Sequence, residues 1–117
     1  MIAAVRIRGT VRVKADIKRT LELLKLKRPN HCVILEESPS IVGMLKKAKD
    51  YVTWGEISEE ILKRLLEKDG IAEEGIKGHI FRLRPPRKGY RSVRLPWPKG
   101  DLGYRGKAIN ELLKRMI

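Results

Sequence analysis

Apolar positions fall into short blocks, and the period within each block marks out an element. Ile2-Ala3-Ala4-Val5-Arg6-Ile7-Arg8 passes from a continuous apolar run into strict alternation and predicts a strand closed by Gly9. Ile17, Leu21 and Leu24 then recur at helical spacing, with Leu23 and Leu26 widening the stripe and Asp16 as N-cap. That helix must end before Pro29, because proline drives its predecessor out of the helical region. His31-Cys32-Val33-Ile34-Leu35 is too short for a helix and predicts a buried strand. Ser38-Pro39 opens a second helix with the stripe Ile41, Met44 or Leu45, and Ala48. Tyr51-Val52-Thr53-Trp54 is β-branched and aromatic, and predicts a third strand.

The second half continues in the same manner. Ser58 caps a helix with Glu59 and Glu60 in its first turn, Ile61, Leu62, Leu65 and Leu66 on its apolar face, and Gly70 as the C′ stop. Ile80 to Arg84 reads as a strand cut off by Pro85-Pro86. A Gly/Pro-punctuated stretch follows to Gly106, and Lys107 to Met116 closes as a helix with the stripe Ile109, Leu112, Leu113 and Met116. This order predicts an α+β fold, a ferredoxin-like split βαβ sandwich with helices on one face of a sheet. The segments Asp16–Lys27 and Pro39–Asp50 are long enough for parallel crossovers. Three regions are expected: a core over 1–57, a helical insertion over 58–78, and a basic C-terminal strand, arm and helix over 79–117.

Charge sharpens this division. The 117 residues hold 27 Lys and Arg against 14 Asp and Glu, a net charge of +13. Residues 79–117 alone carry eleven bases and two acids, whereas acids and bases interleave before that point as on an ordinary solvated surface. No apolar run approaches the length of a membrane span or a signal-peptide core. The single cysteine, Cys32, excludes an internal disulfide and suits a reducing, cytoplasmic setting.

Catalytic chemistry finds little footing. His31 and Cys32 are adjacent on a strand, so their side chains leave opposite faces and form no dyad, and Cys32 reads as a small buried hydrophobe. The ligands for a metal site are lacking. Gly100 to Ala108 approximates a phosphate-binding loop, but Asp101 stands where glycine is required and Ala108 where Ser or Thr is required. Its Gly-x-x-Gly pairs resemble the backbone clamp of KH domains, although a glycine turn entering the last helix explains them more simply. The acid pairs Glu36-Glu37, Glu59-Glu60 and Glu73-Glu74 point apart and read as solvated surface.

The C-terminal segment instead has the makings of a nucleic-acid arm. Arg82, Arg84, Arg87, Lys88, Arg91, Arg94, Arg105 and Lys107 are interleaved with Tyr90, Trp97 and Tyr104. Guanidinium groups fork onto phosphates, and aromatic rings offer platforms to unpaired bases. Such a segment buries little of itself and is expected to order against RNA or on the core beside it. RNA is favoured over duplex DNA because no helix carries a basic, base-reading face.

Two blocks also resemble a known family. Leu24-Lys25-Leu26-Lys27-Arg28-Pro29-Asn30-His31-Cys32-Val33, then Pro39-Ser40-Ile41-Val42-Gly43-Met44-Leu45, Ala48 and Tyr51-Val52-Thr53-Trp54-Gly55, is similar to the large-subunit ribosomal protein family numbered thirty, in its archaeal and eukaryotic form. Phe81 to Arg87 followed by Gly89 resembles the C-terminal region of archaeal members. The resemblance implies a ferredoxin-like core on large-subunit ribosomal RNA among neighbouring ribosomal proteins, in the cytoplasm. It also implies no catalysis, no cofactor, no metal, no membrane and no small-molecule substrate. RNA contacts are expected at Lys27, Arg28, Asn30 and His31 in the helix-to-strand turn, and at Ser38, Ser40, Gly43, Met44 and Lys47 along the second helix. The C-terminal bases named above join them. Gly43 would either admit RNA backbone or ease a helix–sheet contact. The span from Glu56 to Gly78 is shorter than the insertion of archaeal relatives, and the eukaryotic basic N-terminal extension is missing. The same sandwich class also hosts ligand-sensing regulatory domains and RNA-binding subunits of other ribonucleoproteins, which stand as alternatives.

Overall fold

The structure is a computed structural model that describes residues 1–8, 14–72, 75–76, 79–87, 89–90, 97 and 99–117. Five strands run β1 (Ile2–Arg6), β2 (His31–Leu35), β3 (Val52–Glu56), β4 (Phe81–Arg82) and β5 (Gly103–Tyr104). The helices are α1 (Ala15–Leu23), α2 (Pro39–Lys47), α3 (Glu59–Asp69) and α4 (Ile109–Met116), the last entered through a 3-10 turn at Gly106–Ala108. The sheet order is β4-β2-β1-β3-β5. β1 lies at the centre, antiparallel to β2 (Val5 opposite Cys32) and to β3 (Arg6 opposite Val52). β2 and β3 are thus parallel with β1 between them, joined through α2, which is the split βαβ unit. α1, by contrast, connects the antiparallel neighbours β1 and β2, so the Asp16–Lys27 segment is no parallel crossover.

The sheet carries helices on both faces, where the sequence pattern pointed to one. Ile2, Ala4, Val33, Val52 and Trp54 pack with Leu21, Leu24, Leu26, Leu45 and Ala48 beneath α1 and α2. Ala3, Val5, Cys32 and Ile34 pack with α3, Phe81, Leu83 and the α4 stripe on the opposite side. The physical reason is in β1 itself. A strand buried at every position from Ile2 to Arg6 needs a cover on each side, and only one with a polar face can leave a side to water. Each α4 stripe residue, Ile109, Leu112, Leu113 and Met116, is fully buried. At roughly 1.5–3 kcal/mol per buried large apolar side chain, α4 belongs to the core rather than to a loose arm.

Element ends follow local chemistry. Ser38 and Ser58 cap α2 and α3, each accepting from the backbone N–H three residues on, Ile41 and Ile61. Gly70, at φ +64°, closes α3 in a left-handed turn, with Ile71 N–H returning to the Leu66 carbonyl. α1 begins one residue before Asp16, which sits in its first turn, and Lys14 occupies the cap position without a side-chain bond. α1 ends in the same left-handed geometry as α3, but on Lys25, with Leu26 N–H bonded to the Leu21 carbonyl. β5 has no precursor in the hydrophobic pattern. Two residues carry no period, and the pairing with β3 (Thr53 opposite Gly103) is purely tertiary.

Gly55 explains how closely the C-terminal segment docks. A Cβ there would lie 1.9 Å from the Gly106 carbonyl oxygen and 3.1 Å from Cβ of Ile109. Because the obstacle is backbone, relief requires the 3-10 turn to move off β3. Gly55→Ala is therefore expected to lower unfolding free energy by about 1–3 kcal/mol, as overpacked sites do. Urea titration checks this, and an unchanged midpoint would contradict the docking.

Candidate nucleic-acid interface

Two left-handed residues, Lys25 and Asn30, bend the chain from α1 into β2. Asn30 clasps three segments: its N–H donates to the Arg6 carbonyl at 2.7 Å, its carbonyl accepts from Leu83 N–H at 3.2 Å, and its Oδ1 accepts from the Tyr90 hydroxyl at 2.7 Å. Its side chain is engaged in holding the turn. Lys27 and Arg28 stand exposed beside it. His31 follows at the start of β2, opposite Arg82 of β4. Burial, then Arg82, Arg28 and Arg6, push the His31 imidazole below its ordinary pKa, so it is neutral at pH 7 in the free chain. Its Nδ1 is buried without a hydrogen-bond partner among the described residues.

Arg6 was not singled out from the sequence. It is 2 % exposed at the end of the central strand, with Nε on the Arg8 carbonyl at 2.9 Å and Nη1 on the Leu26 carbonyl at 2.8 Å. The legible signal was a lone charge set into an otherwise apolar strand. The helices next to it hold a second signal. Residues 14–28 and 39–50 contain nine Lys and Arg, all exposed, against Asp16, Glu22 and Asp50. α3 carries three bases and four acids. The interleaving seen along the chain thus becomes a basic α1/α2 face once folded.

Not all the expected residues meet. α2 runs antiparallel to β2, so its start lies at the far end of the sheet from His31, about 13 Å away over the four residue steps of β2. Ser38, whose hydroxyl is taken by capping, sits there beside Glu36 and Glu37. Met44 packs against the core under α2. Ser40, Gly43 and Lys47 are exposed and spaced along one face of α2, a stripe that leads back to the basic end. Lys47 lies 3.8 Å from Asp16, both well exposed, a pair worth little. A Cβ on Gly43 would meet nothing within 4 Å, so no helix–sheet contact requires a small residue there.

The C-terminal bases divide into three kinds. Arg82, Arg84, Arg87 and Lys107 are exposed, with Arg84 Nη2 on the Ile117 carbonyl at 2.6 Å. Lys88, Arg91 and Arg94 lie outside the described residues. Arg105 is interior: Nη2 bonds Asp101 Oδ1 at 2.9 Å and the Asp101 carbonyl at 2.8 Å, and Nε bonds Thr53 Oγ1 at 2.9 Å. Its guanidinium also stacks on Trp97, 4.7 Å from the ring centroid. Burial lowers the Arg105 pKa and the Asp101 carboxylate opposes that shift; its bonds to Thr53 and Asp101 pin β5 to β3 and leave it inside the fold. The expectation that the basic C-terminal segment buries little of itself is corrected with it for the described residues, since Leu83, Pro86, Gly100, Asp101, Leu102 and Arg105 are all buried.

Of the aromatics, Tyr90 is held by Asn30 and its hydroxyl is pushed up to about 12 by burial. Tyr104 is exposed but bonded to Glu56, at the acidic end. Cys32 is sealed in the core, its thiol pushed up to about 12 by burial, which leaves no usable thiolate. His79 bonds Asp69 at 2.7 Å and edges onto Phe81, a local brace on α3. No group of three or more metal-ligating side chains occurs among the described residues, and no described helix is long and apolar enough to cross a membrane.

Comparison with known proteins gives this geometry a family. Residues 2–52, from β1 to the first residue of β3, match the family described as ribosomal protein L30p/L7e. The whole chain aligns with the whole of a protein named large ribosomal subunit protein uL30 from Methanosphaera stadtmanae, at 38% identity. Proteins of the same name match from Archaeoglobus fulgidus at 38%, covering 99% of both chains, and from Nanoarchaeum equitans at 39%, covering 100% of this chain and 99% of that one. The chain belongs to the ribosomal protein L30p/L7e family. Arg6, Arg28 and His31 fall within the family match, whereas Arg82 and everything after it lie beyond. The alignment with the Methanosphaera protein spans 152 residues against 117 here, so that relative carries residues with no counterpart in this shorter member.

Breaking the interior pair tests the assignment of Arg105. Arg105→Ala removes the guanidinium that lies 2.9 Å from the buried Asp101 carboxylate, and a loss of about 3–5 kcal/mol is expected. A variant that melts at the wild-type temperature would return Arg105 to the surface set.

Proposed function

We propose that this chain is a structural, non-catalytic component of the large ribosomal subunit that holds ribosomal RNA against its α1/α2 face and the basic end of its sheet. The names of its full-length relatives supply the setting. The observation that carries the RNA reading is the convergence of Arg6, Lys27, Arg28, His31 and Arg82 from three separate stretches of chain onto one end of one sheet, with none of the arginines in an ion pair among the described residues. Like charges aligned across strands repel, and a polyanion relieves that repulsion. The backbone of an RNA strand passing along Ser40, Gly43 and Lys47 would reach this end directly. Arg84, Arg87 and Lys107, with Lys88, Arg91 and Arg94, extend the contact through the C-terminal segment. Neighbouring ribosomal proteins then meet the remaining surface, and the chain resides on ribosomes in the cytoplasm.

Sedimentation of a lysate at low and moderate salt tests the role: the chain should travel with the large subunit and resist the wash. Recovery only at the top of the gradient would remove the ribosomal reading. For the contacts, Arg84→Glu with Arg87→Glu should weaken association with ribosomal RNA by at least about tenfold while circular dichroism stays unchanged, since each lost phosphate contact also flattens the salt dependence. Equal gel-shift affinity would exclude those side chains. Gly43→Ala separates two roles for one residue. It should stabilise α2 by about 0.5–1 kcal/mol, the usual gain for glycine to alanine in an open helix, yet weaken RNA binding if backbone passes there. A variant that gains stability at full affinity places the RNA elsewhere.

A further inference from the structure

Side chains alternate across a sheet, and the two cores show which way each points. Ala4 faces α1 and α2, so Arg6 does too; Cys32 and Phe81 face α3 and α4, so His31 and Arg82 take the opposite face with Arg6. The register places the three side by side, His31 opposite Arg82 and, one step past Val5–Cys32, next to Arg6. The outer two strands of this row are about 10 Å apart, a span that two arginine side chains close from either side of the imidazole. Arg28, exposed in the α1–β2 turn, is near enough to lower the His31 pKa.

Among the described residues, no carboxylate pairs with Arg6, Arg28 or Arg82. Arg6 is 2 % exposed, two of its nitrogens hold carbonyls, and Nη2 is buried with no partner among the described residues. His31 Nδ1 is buried and unpartnered beside it. Arg82 shares a shallow hollow with Asp69 and His79, but the Asp69 carboxylate is held by His79 at 2.7 Å and Lys68 at 3.7 Å. Arg105 shows how this fold treats a buried guanidinium that serves structure alone, with Asp101 at 2.9 Å. Arg6 has carbonyls and no carboxylate. A buried donor left open is unfavourable unless a ligand fills it.

We propose that Arg6, His31 and Arg82, with Arg28 near them, form a built seat for a single phosphate group, one backbone phosphate of the bound RNA. The identity of the ligand rests on the RNA-binding reading; the seat itself does not. Arg6 is the preset member, locked by its two carbonyls, and Arg82 closes from the exposed edge. The two non-bridging oxygens of a backbone phosphate carry the charge and the lone pairs to accept from Arg6 Nη2, the Arg82 fork and the imidazole.

Titration of the isolated chain with inorganic phosphate, against chloride at matched ionic strength, tests the seat. Amide resonances of Arg6, His31 and Arg82 should shift together and saturate, and thermal stability should rise in parallel. Arg82→Gln, on the exposed edge where folding is not at risk, should weaken phosphate binding about tenfold or more. It should also lower the salt slope of RNA binding by about one unit. Arg6→Lys keeps the charge but loses the fork, and should weaken phosphate binding in a chain that still folds. Shifts that never saturate, or that spread over α1 and α2 and persist in Arg82→Gln, would overturn the seat while leaving RNA binding intact. Saturable phosphate binding in a chain with no affinity for ribosomal RNA would keep the seat and overturn the RNA reading instead.

Discussion

β1 forms ladders along both edges and buries side chains on both faces, and the positions of the other elements follow from that. With β2 and β3 on either side, the only room for α1 and α2 is across one face and for α3 and α4 across the other. Small residues make this possible, since Ala3 and Ala4 let both helical layers approach the strand. The close seat of the 3-10 turn against Gly55 is the same economy of volume one strand further out. A substitution that thickens the centre of the sheet is felt in both cores.

Arg6 and Arg105 are each nearly inaccessible, yet their surroundings differ in kind. Arg105 meets a carboxylate, a hydroxyl and an indole face, so its charge is neutralised within the protein and its energy goes into fastening β5. Arg6 donates to two carbonyl oxygens with Tyr51 as its charge-stabilising neighbour, and no carboxylate pairs with it among the described residues. Buried charge is expensive in either case. What separates a structural arginine from a binding one is whether the protein itself contains the counter-charge.

Folding also sorts charge that looks mixed along the chain. Among the described acids of the first 78 residues, all but Asp16, Glu22 and Asp50 lie on α3 or at the end of the sheet that holds Glu36, Glu37 and Glu56, while nine exposed bases lie along α1, α2 and the turns that flank them. The folded chain thereby has a positive and a negative side, a charge asymmetry of the kind that steers oppositely charged partners. The C-terminal segment, with the largest local excess of bases, contributes less free charge than its composition suggests, because Arg105 is interior and Arg84 is tied to the last carbonyl.

The elements themselves were legible in the sequence, because helix and strand periods, serine caps, Gly70 and the prolines act over a few residues. The family was legible too, since the spacing from Leu24 to Gly55 is a local pattern. The sequence also determined the turn that carries Lys27 to His31. It pointed to one helical face where there are two, because an apolar stripe states that a partner exists and not where it lies. It was silent on β5, whose two residues acquire an extended form only by pairing with β3. Arg6, His31 and Arg82 come together solely because three strands align in register, and Arg105 is drawn inside because Asp101 and Thr53 bond it. Solvation and long-range pairing decide whether an arginine binds or braces, and both come into being only with the tertiary structure.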